Sequence, residues 1–214
     1  MSRKPPHSWE FTSTRPVIGT DEVGVGPIAG PICACALTLK PEAHPIWFAG
    51  ARDSKKLTHA QRESLIDPIL KGTLAWRVGW IYPAELEGVD PHQAARDLMT
   101  MLVRSLLELS VFPIAPLIVI DGIYTLPLGK DVEQVALTKG DDRCLEVACA
   151  SIIAKVSRDR YMVSLSRELP DYGFEIHKGY ATHAHVQAIE KHGLTSHHRH
   201  SPAKKAIETY RAKR

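Results

Sequence analysis

No stretch of this 214-residue chain stays apolar for the roughly 20 residues that a membrane-spanning helix needs. The longest such run, Ile28 to Leu39, is broken by Gly30 and Pro31, so no membrane partner is expected. The opening MSRKPPHSWEFTSTRP has basic residues but no apolar segment behind them, and a secretory signal is not expected either. Cysteine is scarce. The four present (Cys33, Cys35, Cys144 and Cys149) contain no CxxC pair, which excludes a disulfide framework and fits a reducing, cytoplasmic compartment. Repeats and low-complexity linkers are missing, so residues 1–214 are expected to form one domain. Charge excess is small, at +3, and is compatible with a nucleic-acid partner without demanding one. Its distribution says more: His197 to Arg214 holds six Lys or Arg and three His against a single acid, Glu208.

Periodicity supplies the elements. Val17 to Glu22 has the pattern of a strand running into a glycine-rich loop, and Ile32 to Leu39 that of a second strand. Cys33 and Cys35, two apart, should share one face of it as small core residues. Thr58 to Leu70 has helical spacing with Thr58 as N-cap. Thr73 to Ile81 alternates Leu74, Trp76, Val78 and Trp80 as a half-buried strand. Pro91 to Leu109 is a helix with proline at its first position. Leu117 to Ile120 is short and wholly apolar, which suits a central strand covered on both faces. Val132 to Thr138 follows as another strand. Asp141 is expected to cap a long helix, and helices should cover about Ala181 to His192 and Ala203 to Lys213. Strands and helices in this order imply an α/β fold with a mixed sheet between helices.

Four acids stand at strand ends or helix starts: Asp21, Glu22, Asp121 and Asp141. Taken singly, Asp141 is a helix cap, Asp121 in its Asp-Gly pair a turn residue, and Asp21-Glu22 a solvated strand end. Taken together, they form a candidate metal site. Acids that follow buried strands repel one another unless a cation intervenes, and oxygen-only ligands favour Mg²⁺ or Mn²⁺ over zinc. Gly24-Val25-Gly26 could offer backbone N–H groups to a phosphate or ribose. It lacks the strand–GxGxxG–helix context of a dinucleotide site.

Five blocks in order (GTDEVGVGPIAGP from Gly19, DSKKL from Asp53, IDG from Ile120, KGD…ASIIAKVSRDR from Lys139, and HKGYATHAH from His177) resemble the ribonuclease HII family. The match runs along nearly the whole chain. It implies a ribonuclease H-like fold, with a central mixed five-stranded sheet flanked by helices and a basic, helical C-terminal extension over about 181–214. It also implies that Asp21, Glu22, Asp121 and Asp141 hold two metal ions and hydrolyse the RNA strand of RNA–DNA hybrids, or of DNA containing ribonucleotides, leaving 3′-OH and 5′-phosphate ends. By the same resemblance Gly24, Val25, Gly26, Ser54, Lys55 and Tyr180 meet substrate, Tyr180 at the sugar of the RNA–DNA junction. Asp53 belongs to the DSKKL turn and stays outside the catalytic set. A monomer is expected.

Two positions depart from the family pattern. Val25 stands where the family has arginine, as in the related ribonuclease HIII loop, and Pro202 stands where an aromatic tends to follow the serine. The chemistry should persist while preference for a junction weakens. The histidines of the last forty residues match no structural zinc spacing and are expected to form a basic, partly exposed surface near nucleic acid. Two rival functions remain open: a non-catalytic binding relative, and a nuclease of the same broad fold acting on DNA alone.

Overall fold

The computed structural model describes Trp9, residues 13–41 and residues 57–212. Five strands form one mixed sheet: β1 (Val17–Val23), β2 (Ile32–Leu39), β3 (Thr73–Ile81), β4 (Leu117–Asp121) and β5 (Gln134–Leu137). Their spatial order is β3-β2-β1-β4-β5. β1, β2 and β3 are joined antiparallel, whereas β4 runs parallel to both β1 and β5. The helices are α1 (His59–Gly72), α2 (Pro91–Leu107), the single turn α3 (Gly140–Arg143), α4 (Leu145–Glu168), the short α5 (Phe174–His177), α6 (His183–His192) and α7 (His200–Arg211). The ribonuclease H-like sheet expected from the sequence is therefore present, with α6 and α7 in the expected C-terminal extension.

Side-chain alternation sorts the strands into two cores. In β2, Ile32, Ala34 and Ala36 face α2 together with Ile18, Ile118 and Ile120. Cys33, Cys35 and Leu37 face the other way, onto α4 and Ile69 of α1. Both cysteines of β2 are buried on one face, as their spacing implied. α1 begins with the expected cap: Thr58 accepts from the Gln61 amide, and Gln61 reaches back to the Thr58 N–H. α2 carries Pro91 at its start behind Asp90 as N-cap.

Three expectations fail locally. Asp141 does not cap the long helix. It lies inside α3, which starts from Lys139 in a left-handed conformation, and the chain turns extended at Cys144 before α4 begins. α7 starts at His200 rather than Ala203. In β3, Leu74 and Trp76 are exposed at 40% and 43%, so only the Val78 and Trp80 end of the alternating face is packed among the described residues.

α4 lies very close to β1. A Cβ added to Gly19 would sit 2.4 Å from the Glu146 carbonyl carbon and 2.5 Å from the Val147 nitrogen. Backbone cannot rotate away as a side chain can, so Gly19→Ala must push α4 off the sheet. We expect a loss of about 1–3 kcal/mol in urea unfolding. A midpoint matching wild type would mean that the helix–strand approach tolerates a methyl group.

Candidate active site

β1 and β4 are neighbours and parallel, and their last paired residues are Thr20 and Ile120. One step further along each strand come Asp21 and Asp121. Alternation turns both toward the α3–α4 side of the sheet and turns Glu22 to the opposite side. Ser151 on α4 hydrogen-bonds the Asp21 carboxylate, whose Oδ1 also accepts from the Glu22 N–H at 2.8 Å. Asp121 Oδ1 accepts from the Gly140 N–H at 2.7 Å. That bond ties the start of α3 to the end of β4 and brings in Asp141, the next residue, which is buried. Glu22 and Asp121 both border a cleft of about 830 Å³, whose far wall includes His92, Arg96 and Tyr124.

Electrostatically the arrangement is unfavourable as it stands. Burial holds the Asp21 carboxyl well above the usual carboxylate range, and the negative charges of Glu22 and Asp121 push it further up; the bonds from Ser151 and the Glu22 N–H oppose this. Among the described residues, no three His, Cys, Asp or Glu side chains are grouped closely enough to hold a metal ion in their present rotamers.

The glycine loop after β1 is built from beneath. Arg158 of α4 and Arg199 just before α7 are both buried. Arg158 donates to the carbonyls of Ala29, Pro31 and Lys178, and Arg199 donates to those of Gly24, Val25 and Gly30. Desolvation lowers both guanidinium pKa values, that of Arg199 to about 10 with Arg158 as a second cause. Gly24 has φ +93°, and a Cβ there would meet Arg158 Nε at 2.3 Å, so only glycine fits. The amide bonds are trans. With the Gly24 and Val25 carbonyls turned inward to Arg199, the N–H groups of Val25 and Gly26 point away from it. Tyr180 is 48% exposed, with Cε1 3.9 Å from where a Gly26 Cβ would be.

The structure thus gathers Asp21, Glu22 and Asp121, with Asp141 alongside, and puts Tyr180 beside Gly26. Ser54 and Lys55 lie outside the described residues. Ser151 and Arg158 fall inside the ASIIAKVSRDR block, which assigns them no role, and Arg199 looks like an ordinary residue of the basic tail. Tyr124 and Ile123, exposed directly after the IDG acid, were a visible signal of a cleft wall. Of the tail histidines, His183, His192 and His200 are exposed, in keeping with a partly exposed tail, whereas His177, His185 and His198 are buried, their rings packed with Tyr172 and Phe174. Arg199 likewise faces inward rather than toward phosphate.

A family model described as Ribonuclease HII matches residues 18–205. The chain belongs to the ribonuclease HII family. Membership makes it an endoribonuclease of the ribonuclease H type. It is 43% identical over 193 residues to a ribonuclease HII of Vibrio campbellii, covering 89% of this chain and 86% of that one. It is 40% identical over 185 residues to a ribonuclease HII of Halalkalibacterium halodurans, covering 86% of this chain and 66% of that longer protein. Among solved structures, the ribonuclease H2 of Pyrococcus horikoshii matches with a TM-score of 0.71 at 26% identity, covering 92% of this chain and 99% of the other.

A carboxyl whose folded pKa exceeds its unfolded value favours the folded state most at low pH, and that benefit is lost as pH rises through the folded value. Asp21 is of this kind. In the presence of a chelator, Asp21→Asn should therefore raise the urea midpoint, and by more at pH 8 than at pH 4. An equal midpoint at both values would show that Asp21 is not held under charge repulsion.

Proposed function

We propose that this chain hydrolyses the RNA strand of RNA–DNA hybrids, and of DNA containing ribonucleotides, with Asp21, Glu22, Asp121 and Asp141 holding two divalent cations, Mg²⁺ or Mn²⁺. The observation that carries this is the like-charged pair at the ends of β1 and β4. Asp21 is 6% exposed, and the charges that raise its pKa are both negative. Such a donor set fits a hard cation: all its atoms are oxygen, and a positive ion relieves both the repulsion and the desolvation. Bound there, the ions would supply a water activated at neutral pH and charge stabilisation at the leaving oxygen. The P–O3′ bond breaks and water adds, leaving a 3′-OH and a 5′-phosphate.

The rest of the work falls to the protein. The Ser151 and Gly140 hydrogen bonds hold the carboxylates of Asp21 and Asp121 at the ends of their strands, so that a cation would need only side-chain rotation to draw the acids together. The outward amides of Val25 and Gly26 meet the sugar–phosphate backbone, and the Tyr180 ring meets the ribose whose 2′-OH marks RNA. On the other side of the acids, Arg96 sits 5.3 Å over the exposed Tyr124 ring, a cationic and aromatic surface suited to a nucleic-acid strand. Ser54 and Lys55 are proposed to meet phosphate on the family resemblance alone. The enzyme is proposed to act as a monomer in the cytoplasm.

Three duplexes in Mg²⁺ and in Mn²⁺ test this: a continuous hybrid, DNA with one ribonucleotide, and all-DNA. The first two should be cut and the third left intact. Cleavage of all-DNA would favour a DNA nuclease, and no cleavage at all a binding protein. Asp121→Asn should abolish turnover while hybrid binding persists; turnover at the wild-type rate would remove Asp121 from the ligand set.

Val25 adds a finer expectation. A charge-assisted contact is worth about 1.5–3 kcal/mol, or roughly one to two decades in rate where it acts at the transition state. Without the family arginine, continuous hybrids should be cut at least as well as single ribonucleotides, and Val25→Arg should raise single-ribonucleotide cleavage selectively. Equal rates on both duplexes, unmoved by Val25→Arg, would make residue 25 a filler.

A further inference from the structure

Three buried histidines outside the carboxylate site have their protons assigned by their neighbours. The Thr195 N–H donates to His198 Nδ1 at 3.0 Å, so that nitrogen carries a lone pair and the ring proton sits on Nε2. His198 Nε2 lies 3.2 Å from His185 Nε2, which must then accept. The His185 proton is left on Nδ1, 2.8 Å from the Tyr180 carbonyl oxygen, which can only accept. Working back from that carbonyl gives the same protonation at every step. His177 closes the other side: its Nδ1 accepts from the Gly179 N–H at 3.2 Å, and its Nε2 donates to the Tyr172 carbonyl at 2.7 Å.

These bonds flank the substrate-facing tyrosine. Gly179 N–H and Tyr180 C=O are both held by imidazoles whose rings stack at 4.2 Å and 15°. Between them, the Gly179 carbonyl accepts from the Ile28 and Ala29 amides of the glycine loop. A Cβ on Gly179 would lie 2.2 Å from the Ala29 oxygen, so the two segments are in close contact. Burial pushes the His185 and His198 pKa values down to about 4, which keeps both rings neutral near pH 7. A purely space-filling role would need none of this order, since Phe174 beside them packs without any hydrogen bond from its ring.

We propose that His185 and His198 are positioning residues, whose one-directional chain of neutral hydrogen bonds from Thr195 to the Tyr180 carbonyl sets the Tyr180 ring against Gly26 for ribose recognition. This rests on the proposed role of Tyr180. The chain couples the loop before α7 to the substrate surface through side chains that never touch substrate.

The test combines kinetics with spectroscopy. His185→Phe keeps the ring and removes both bonds; His185→Asn places an amide N–H near the position of Nδ1 and should restore the bond to Tyr180. On the single-ribonucleotide duplex, His185→Phe should lower kcat/KM about tenfold, what one lost hydrogen bond is worth. His185→Asn should recover most of that loss. In a Tyr180→Ala background His185→Phe should cost nothing further, because the histidine acts only through the ring that Tyr180→Ala removes. An undiminished loss in that background would overturn the proposal in favour of general destabilisation. ¹⁵N NMR of the wild-type protein reads the tautomers without any substrate: Nδ1–H at His185 and Nε2–H at His198 are expected, and the reverse pair would overturn the chain. An inactive wild type, or a Tyr180→Ala variant as active as wild type, would instead remove the functional premise while the tautomers still report on the chain itself.

Discussion

Two buried guanidinium groups hold the glycine loop after β1 in shape. Arg158 and Arg199 spend their donors on backbone carbonyls, five of them in the loop from Gly24 to Pro31. A loop of this composition has little regular structure to satisfy its own polar groups, and burying them unpaired would cost about 1–3 kcal/mol each. The arginines remove that cost and also choose a direction. Because each carbonyl in a trans peptide opposes the following N–H, carbonyls drawn inward mean amides turned outward. Since Arg158 comes from α4 and Arg199 from the segment before α7, the shape of the loop depends on both of those elements.

The carboxylates follow the opposite logic. Nothing in the packing rewards placing Asp21 and Asp121 on one face of adjacent parallel strands. Burial and like charge both raise the Asp21 pKa, and Ser151 offsets them only in part. Stability has been given up there, a pattern expected where a site is arranged for something other than folding. The surrounding cores are dense and conventional, with β1, β2 and β4 covered on both faces by α2 and α4. That rigidity keeps the strained pair in place.

How much of this was legible depended on which physics each residue obeys. β2 and β3 have the bounds read from the sequence, β2 because its run of small and β-branched residues suits a strand buried on both faces, and β3 because its apolar residues alternate. Asp141 misled because the sequence places it shortly before a long helix. What separates them is an extended Cys144, which ends the single turn of α3 and is a backbone state that side-chain patterns do not encode. His177, His185, His198 and Arg199 were hidden in a basic run. Composition counts charges but cannot show which of them turn inward, and these four do so only because the extension folds back over the glycine loop. The acids could be listed but not assembled, since their meeting depends on β1 and β4 being neighbours across about a hundred residues of chain.

Val25 shows how the two layers separate. Its carbonyl is held by Arg199 at 2.8 Å, and its side chain packs at the edge of the core that includes Ile18 and Ile120. The loop's course is set by Gly24 at φ +93°, by Gly30 at φ +81° and by the arginines beneath, none of which involves the side chain at position 25. An arginine at position 25 in place of valine would therefore change the charge of the loop without changing its backbone course. In this loop shape and charge come from different residues, so one can change while the other is kept.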